Sequence, residues 1–130
     1  MTMSLIQAFL LLALQAPVEV TPTVNVTPSP PDWRTLGNTQ GIVIDWDAAN
    51  IERGETLILR TRFTPPNPRP GPYAYAITLV ELRCAPAEAH AIRTVNYYAD
   101  GRAGRRDDVP QPFVAIPDGT FFASLHRLVC

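Results

Sequence analysis

Two cysteines constrain this chain more than any other feature, because Cys84 and Cys130 can pair only with each other. Each stands at the end of an apolar segment, and Cys130 is the last residue. Together they read as one disulfide that draws the final segment onto the end of a strand-like run over residues 73–84. A Cys2His2 zinc site is not expected, since His90 and His126 are too widely separated for the usual ligand spacing. No other metal site and no cofactor site is expected. At 130 residues the chain suits one domain, in the common range of roughly 100–150 residues.

Charge narrows the function classes. Eleven basic residues face twelve acidic ones, for a net charge of −1. No global field recruits nucleic acid or an anionic membrane, so neither is expected as a partner. All eleven basic residues are arginine. Without lysine there is no amine for Schiff-base chemistry and no P-loop ammonium.

The N-terminal residues suggest where a disulfide could form. Residues 5–14 (LIQAFLLLAL) have the length of the apolar region of an export signal, and Ala13 and Ala16 supply small residues near a cleavage point. Residues 1–16 are therefore read as a signal peptide, although no Lys or Arg precedes the apolar run. The run falls short of the roughly 20 residues that span a bilayer as a helix, so no transmembrane span is expected after signal removal. The competing reading is an amphipathic or buried first helix. No cysteine lies near Ala16, and a lipid anchor is not expected. Residues 17–31 carry five prolines and read as an extended Pro/Thr-rich linker. The folded domain then covers residues 32–130. Export to the periplasm or cell surface would put both cysteines in an oxidising compartment.

The domain reads as β-structure. Residues 41–46 (GIVIDW) form a β-branched run, 47–54 carry turn residues, and 55–64 (ETLILRTRFT) alternate. Leu57, Leu59, Thr61 and Phe63 take one face, and Ile58, Arg60 and Arg62 the other. Residues 65–72 hold five prolines and must be a surface loop. Along 73–84 the even positions are small or aliphatic (Ala74, Ala76, Thr78, Val80, Leu82), while the odd ones begin with Tyr73 and Tyr75. A further strand over 91–98 leads through Asp100-Gly101, a hairpin turn, into residues 102–106. The last element is a helix that Thr120 caps, with Phe121, Phe122, Leu125, Leu128 and Val129 on one side. The fold class is thus α+β: an antiparallel sheet of about five or six strands, with the helix across the small-residue face, tied by the bridge.

The order of several motifs resembles a family. These are Trp33 at the domain start, Ile44-Asp45 followed by a turn to Gly54, Cys84-Ala85, Tyr97-Tyr98 before Asp100-Gly101, Pro117-x-Gly119-Thr120, and Cys130. Together they resemble the surface-adhesin protein E family of bacterial envelope proteins over about residues 33–130. The resemblance implies an antiparallel sheet with a disulfide-tied C-terminal helix, and dimers in some members. It transfers no ligand site residue by residue.

Candidate chemistry is sparse. Ser124 and His126 are two apart on the helix and face different ways, so they cannot act as a nucleophile and base. His126 reads as a surface histidine near the helix C-terminus. Asp45 and Asp47 share a strand face but read as solvated strand-end acids rather than a catalytic pair. No catalytic residue is assigned, and the chain is not expected to be an enzyme. Arg102, Arg105 and Arg106 form a basic cluster suited to a sulfated glycan or an acidic protein, with Asp107 and Asp108 beside it. Tyr73 and Tyr75, with Tyr97 and Tyr98, offer aromatic area of the kind found at interfaces. The expected function is a non-catalytic, exported, adhesin-like module that binds a protein or glycan at the cell surface or a second copy of itself. The alternative is an accessory periplasmic subunit of a larger envelope assembly.

Overall fold

The computed structural model describes residues 29–108 and 110–130; the stretch expected to be a signal peptide and most of the expected linker lie outside the described residues. One antiparallel sheet carries eight strands: β1 (Trp33–Thr39), β2 (Ile42–Asp47), β3 (Glu52–Arg53), β4 (Leu57–Thr64), β5 (Tyr75–Arg83), β6 (Glu88–Tyr97), β7 (Ala103–Asp107) and β8 (Val114–Ala115). The helix α1 (Phe121–Val129) follows. The sheet order is β1-β2-β4-β5-β6-β7, with β3 also on β4 and β8 also on β6. The α+β class holds, and the count of strands exceeds the five or six expected. The additions are β1 and two short strands: β3 lies along the end of β4 that β2 does not reach, and β8 does the same for β6.

Local sequence explains the meander. β1 and β2 are joined through Gln40 and Gly41, both with positive φ (52° and 81°). That is the pairing a type I′ hairpin requires, and glycine adopts it without a Cβ penalty. The proline loop over residues 65–72 separates β4 from β5 as expected. Tyr73 leaves room for nothing but glycine at position 104, where a Cβ would lie 2.3 Å from its ring.

The alternation read in β4 and β5 is realised in the register. Leu57 pairs with Leu82, Leu59 with Val80 and Thr61 with Thr78, all turned to the helix side. There Trp46, Leu57, Leu59 and Leu82 pack with Leu125 and Val129 of α1. Phe121 meets Phe63 edge-on at 5.4 Å between ring centroids. Thr61 is buried among them but satisfied, donating to the Thr78 carbonyl at 3.1 Å.

α1 begins at Thr120, whose hydroxyl accepts from the Ala123 amide at 3.3 Å and donates to the Pro117 carbonyl at 2.8 Å. Its buried side is Ala123, Leu125 and Val129. Leu128, expected on that side, is 58% exposed, so the contact stripe is narrower than the apolar spacing implied. A nine-residue helix is too short to persist alone, where roughly 12–15 residues are marginal. Its end is held by the Cys84–Cys130 disulfide, with Cα atoms 5.7 Å apart, by His126, whose Nε2 donates to the Cys84 carbonyl at 2.9 Å, and by Arg53 of β3, which donates to the Val129 carbonyl at 3.5 Å. His126 is therefore a clamp as well as a residue of the last turn.

Candidate binding face

The helix packs on one side of the sheet, over Trp46, Leu57, Leu59 and Leu82. On the other side, register brings together residues that lie far apart in sequence. Arg62 of β4 sits between Asp45 of β2 and Ile77 of β5, which in turn faces Val95 of β6. One row along, Arg60 faces Leu79, and Leu79 faces Arg93. At the Pro-loop end, Tyr75 stacks on Tyr97 at 5.1 Å with planes 17° apart. At the opposite end, Glu81 faces His90 and Arg83 faces Glu88.

The β1 and β2 margin of this face is an ionic frame. Asp47 is fully buried and Asp45 is 7% exposed, so the expectation of solvated strand-end acids is corrected. Their partners come from β4, two strands on in sequence: Arg60 pairs with Asp47, and Arg62 with Asp45 at 3.0 Å. Asp47 also accepts from the backbone N–H of Asp32 and Ala49 and from the Asn50 amide, at 2.9–3.0 Å. Burial raises its pKa, but the Arg60 guanidinium and these donors outweigh that and bring the carboxyl from 3.8 down to about 2. Asp45 further accepts from the Thr35 hydroxyl at 3.0 Å. Trp33 lies beneath both guanidinium groups, 4.5 Å from Arg62 and 5.3 Å from Arg60.

The far end is also closed by internal partners. Glu81 takes contacts from His90 Nε2 at 2.7 Å and the Thr56 hydroxyl at 2.6 Å, and these hold its pKa below the usual value. His90 Nδ1 meets the Gln111 carbonyl at 2.5 Å. Each ring nitrogen of His90 thus stands against an oxygen, Nε2 against Glu81 and Nδ1 against Gln111. Phe113 covers this end, 3.9 Å from the His90 ring and 4.2 Å from the Arg83 guanidinium. Arg83 is itself paired with Glu88.

Between the two ends lies a shallow hollow of about 190 Å³ lined by Arg60, Ile77, Leu79, Arg93, Val95 and Tyr97. Arg93, which carried no signal in the sequence, is its distinctive member.

The residues singled out in the sequence divide. Tyr73 leaves Tyr75 and packs on Tyr98 at 5.0 Å, with its hydroxyl accepting from the Arg105 amide at 3.1 Å. The four tyrosines are thus two pairs rather than one aromatic area. Arg106 lies opposite Val95 at the β7 edge of the face, and Arg105, its neighbour in an extended strand, turns away. Arg102 folds back on Asp100 at 2.8 Å and over the Tyr98 ring at 4.5 Å, while Arg106 pairs with Asp108 at 2.8 Å. The hairpin cluster therefore neutralises most of its own charge. Among the described residues no group of three or more metal-ligating side chains occurs, and no helix is long and apolar enough to cross a membrane. Comparison with protein-family models, with curated proteins and with solved structures finds no match for the chain.

Proposed function

We propose that this chain is a non-catalytic, exported bacterial envelope protein of the surface-adhesin E type, whose helix-free sheet face binds a macromolecular partner. The observation that carries the reading is the difference between the two faces. On one, α1 packs over Trp46, Leu57, Leu59 and Leu82 and is tied by a disulfide, with a hollow of about 630 Å³ between it and β1, while the other carries Trp33, Tyr75, Tyr97 and arginines with no helix over them. Aromatic and arginine side chains are the types that dominate binding energy at interfaces. The disulfide is compatible with an oxidising compartment, which supports export. The acids of the face are committed to ion pairs, an arrangement suited to structure rather than to proton transfer.

The test is hydroxyl-radical labelling of the purified protein mixed in turn with matrix proteins, glycans and cell-wall fragments. Protection of Trp33, Tyr75 and Tyr97 by at least one of them is expected, with labelling of Phe122 on the helix unchanged. Protection by none would overturn the reading. A stoichiometric protein partner recovered from the native envelope would instead favour the accessory-subunit alternative.

A further inference from the structure

Arg93 stands out among the arginines of the open face by what it lacks. Arg60, Arg62, Arg83 and Arg106 each hold a carboxylate. Arg93 is half-buried on β6, between the stretches that β7 and β8 cover, and no carboxylate, carbonyl or aromatic ring within the described residues engages its guanidinium. The carboxylates nearest to it are engaged elsewhere, including Asp108, the next position after the Thr94–Asp107 pair in the β6–β7 register, which is bound to Arg106. Across Leu79, Arg60 is a like charge already bound to Asp47; Glu81 is bound to His90 and Thr56; beyond Val95, Arg106 is bound to Asp108. A guanidinium with five N–H donors in a planar fork thus remains unused beside an apolar floor of Leu79, Ile77 and Val95 and the Tyr97 ring.

From this we infer a site for one acidic sugar unit of a polysaccharide, its carboxylate or sulfate received by Arg93 and its ring laid on Leu79, Val95 and Tyr97. The inference rests on the reading of this face as the binding surface and gives it a ligand class. The anionic group follows from the free fork, which matches a planar carboxylate or a sulfate with two parallel bonds. The ring follows from the floor, because a saccharide presents C–H groups on one face and hydroxyls at its rim. The size follows from the hollow, whose 190 Å³ is below the roughly 300–1,000 Å³ of sites that enclose a whole drug-sized ligand. It takes one unit of a longer chain that continues over an open surface. A peptide is the poorer occupant. β5, which runs along the floor of the hollow, pairs with β4 and β6 along its length and offers no free edge to an extended peptide.

The experiment titrates the full chain, disulfide intact, with heparin (sulfate and carboxylate), polygalacturonate (carboxylate alone), dextran (neutral) and polyglutamate (an acidic peptide). Binding of at least one acidic polysaccharide, in preference to both dextran and polyglutamate, is expected, and the pair of acidic polymers separates sulfate from carboxylate. Arg93→Gln should weaken that binding about tenfold or more, the loss expected for a hydrogen bond to a charged group. Arg105→Gln, on the exposed hairpin, should change it less than about fivefold. If R93Q melts earlier than the parent protein, Arg93→Lys takes its place, and a partial loss is expected because an ammonium cannot form two parallel bonds. Full affinity in these Arg93 variants, or equal binding of dextran, overturns the inference. Preference for polyglutamate also overturns it in favour of an acidic protein. If acidic polysaccharides fail while another ligand protects Trp33 and Tyr75 from labelling, the inference falls and the reading of the face stands; if nothing protects them, both fall.

Discussion

The two sides of the sheet are built from the same strands and obey different chemistry. Leu59, Val80, Leu82 and Leu125 are almost wholly buried on the helix side, where packing and a covalent tie hold the structure. Facing the other way, the intervening residues Arg60, Leu79 and Glu81 stay half-buried, held by ion pairs and aromatic contacts at the margins with an unpaired arginine between them. Alternation along a strand lets one segment contribute to stability and recognition at once, because successive side chains belong to different surfaces. Substitutions should therefore separate into those that unfold the protein and those that silence it.

The largest effect is expected from removing the bridge. Cys84→Ser with Cys130→Ser opens a loop with a sequence separation of 46, which costs about 4 kcal/mol in the chain-entropy account. Chemical denaturation of the double variant checks it, and a loss below about 1 kcal/mol would mean that α1 packs firmly without its tie. Next comes Leu125→Ala, which empties a fully buried position against Trp46 and Leu82 and should cost about 3 kcal/mol. Its midpoint should fall while the acidic-polysaccharide affinity of the folded fraction stays constant.

Asp47 lies on the open side yet belongs to the structural class, which sharpens the comparison. Its pKa is lower in the folded chain, so ionisation stabilises the fold above the unfolded value of 3.8 and the gain disappears as pH falls through about 2. Between these values about 2 kcal/mol should be lost, and Asp47→Asn should flatten that part of the stability profile. The smallest effect on stability belongs to Arg93→Gln, expected within about 0.5 kcal/mol of the parent because no internal partner is removed. A large destabilisation there would show that Arg93 has a structural role and would blur the division between the faces.

What could be read beforehand follows the same division. Leu57 to Phe63 and Ala74 to Leu82 announce their buried sides by period-two alternation, and Thr120 with Leu125 and Val129 announces the helix, because local physics determines each. β1 has no such pattern in WRTLGNT, and its register shifts between Thr35 and Gly37. β3 and β8, two residues each, are too short to show a period and exist only because longer neighbours offer free ladder groups. The open face was least legible. Asp45 and Asp47 look solvated until pairing with β4 sets Arg62 and Arg60 beside them, and Arg93 looks ordinary until folding gives the nearby Asp108 to Arg106. Such a site is a property of strand pairing, which no single segment encodes. Arg102, Arg105 and Arg106 drew notice as a cluster, whereas folding gives two of them partners within the hairpin.

The most direct test of the division is a residue-resolved map of amide chemical shifts as heparin is added to the folded, oxidised protein. Shifts concentrated at Leu79, Arg93, Val95 and Tyr97, with Phe121–Val129 unmoved, are the expected result. Shifts centred on α1 or on the Arg102 to Arg106 hairpin, or none on the open face, would contradict it.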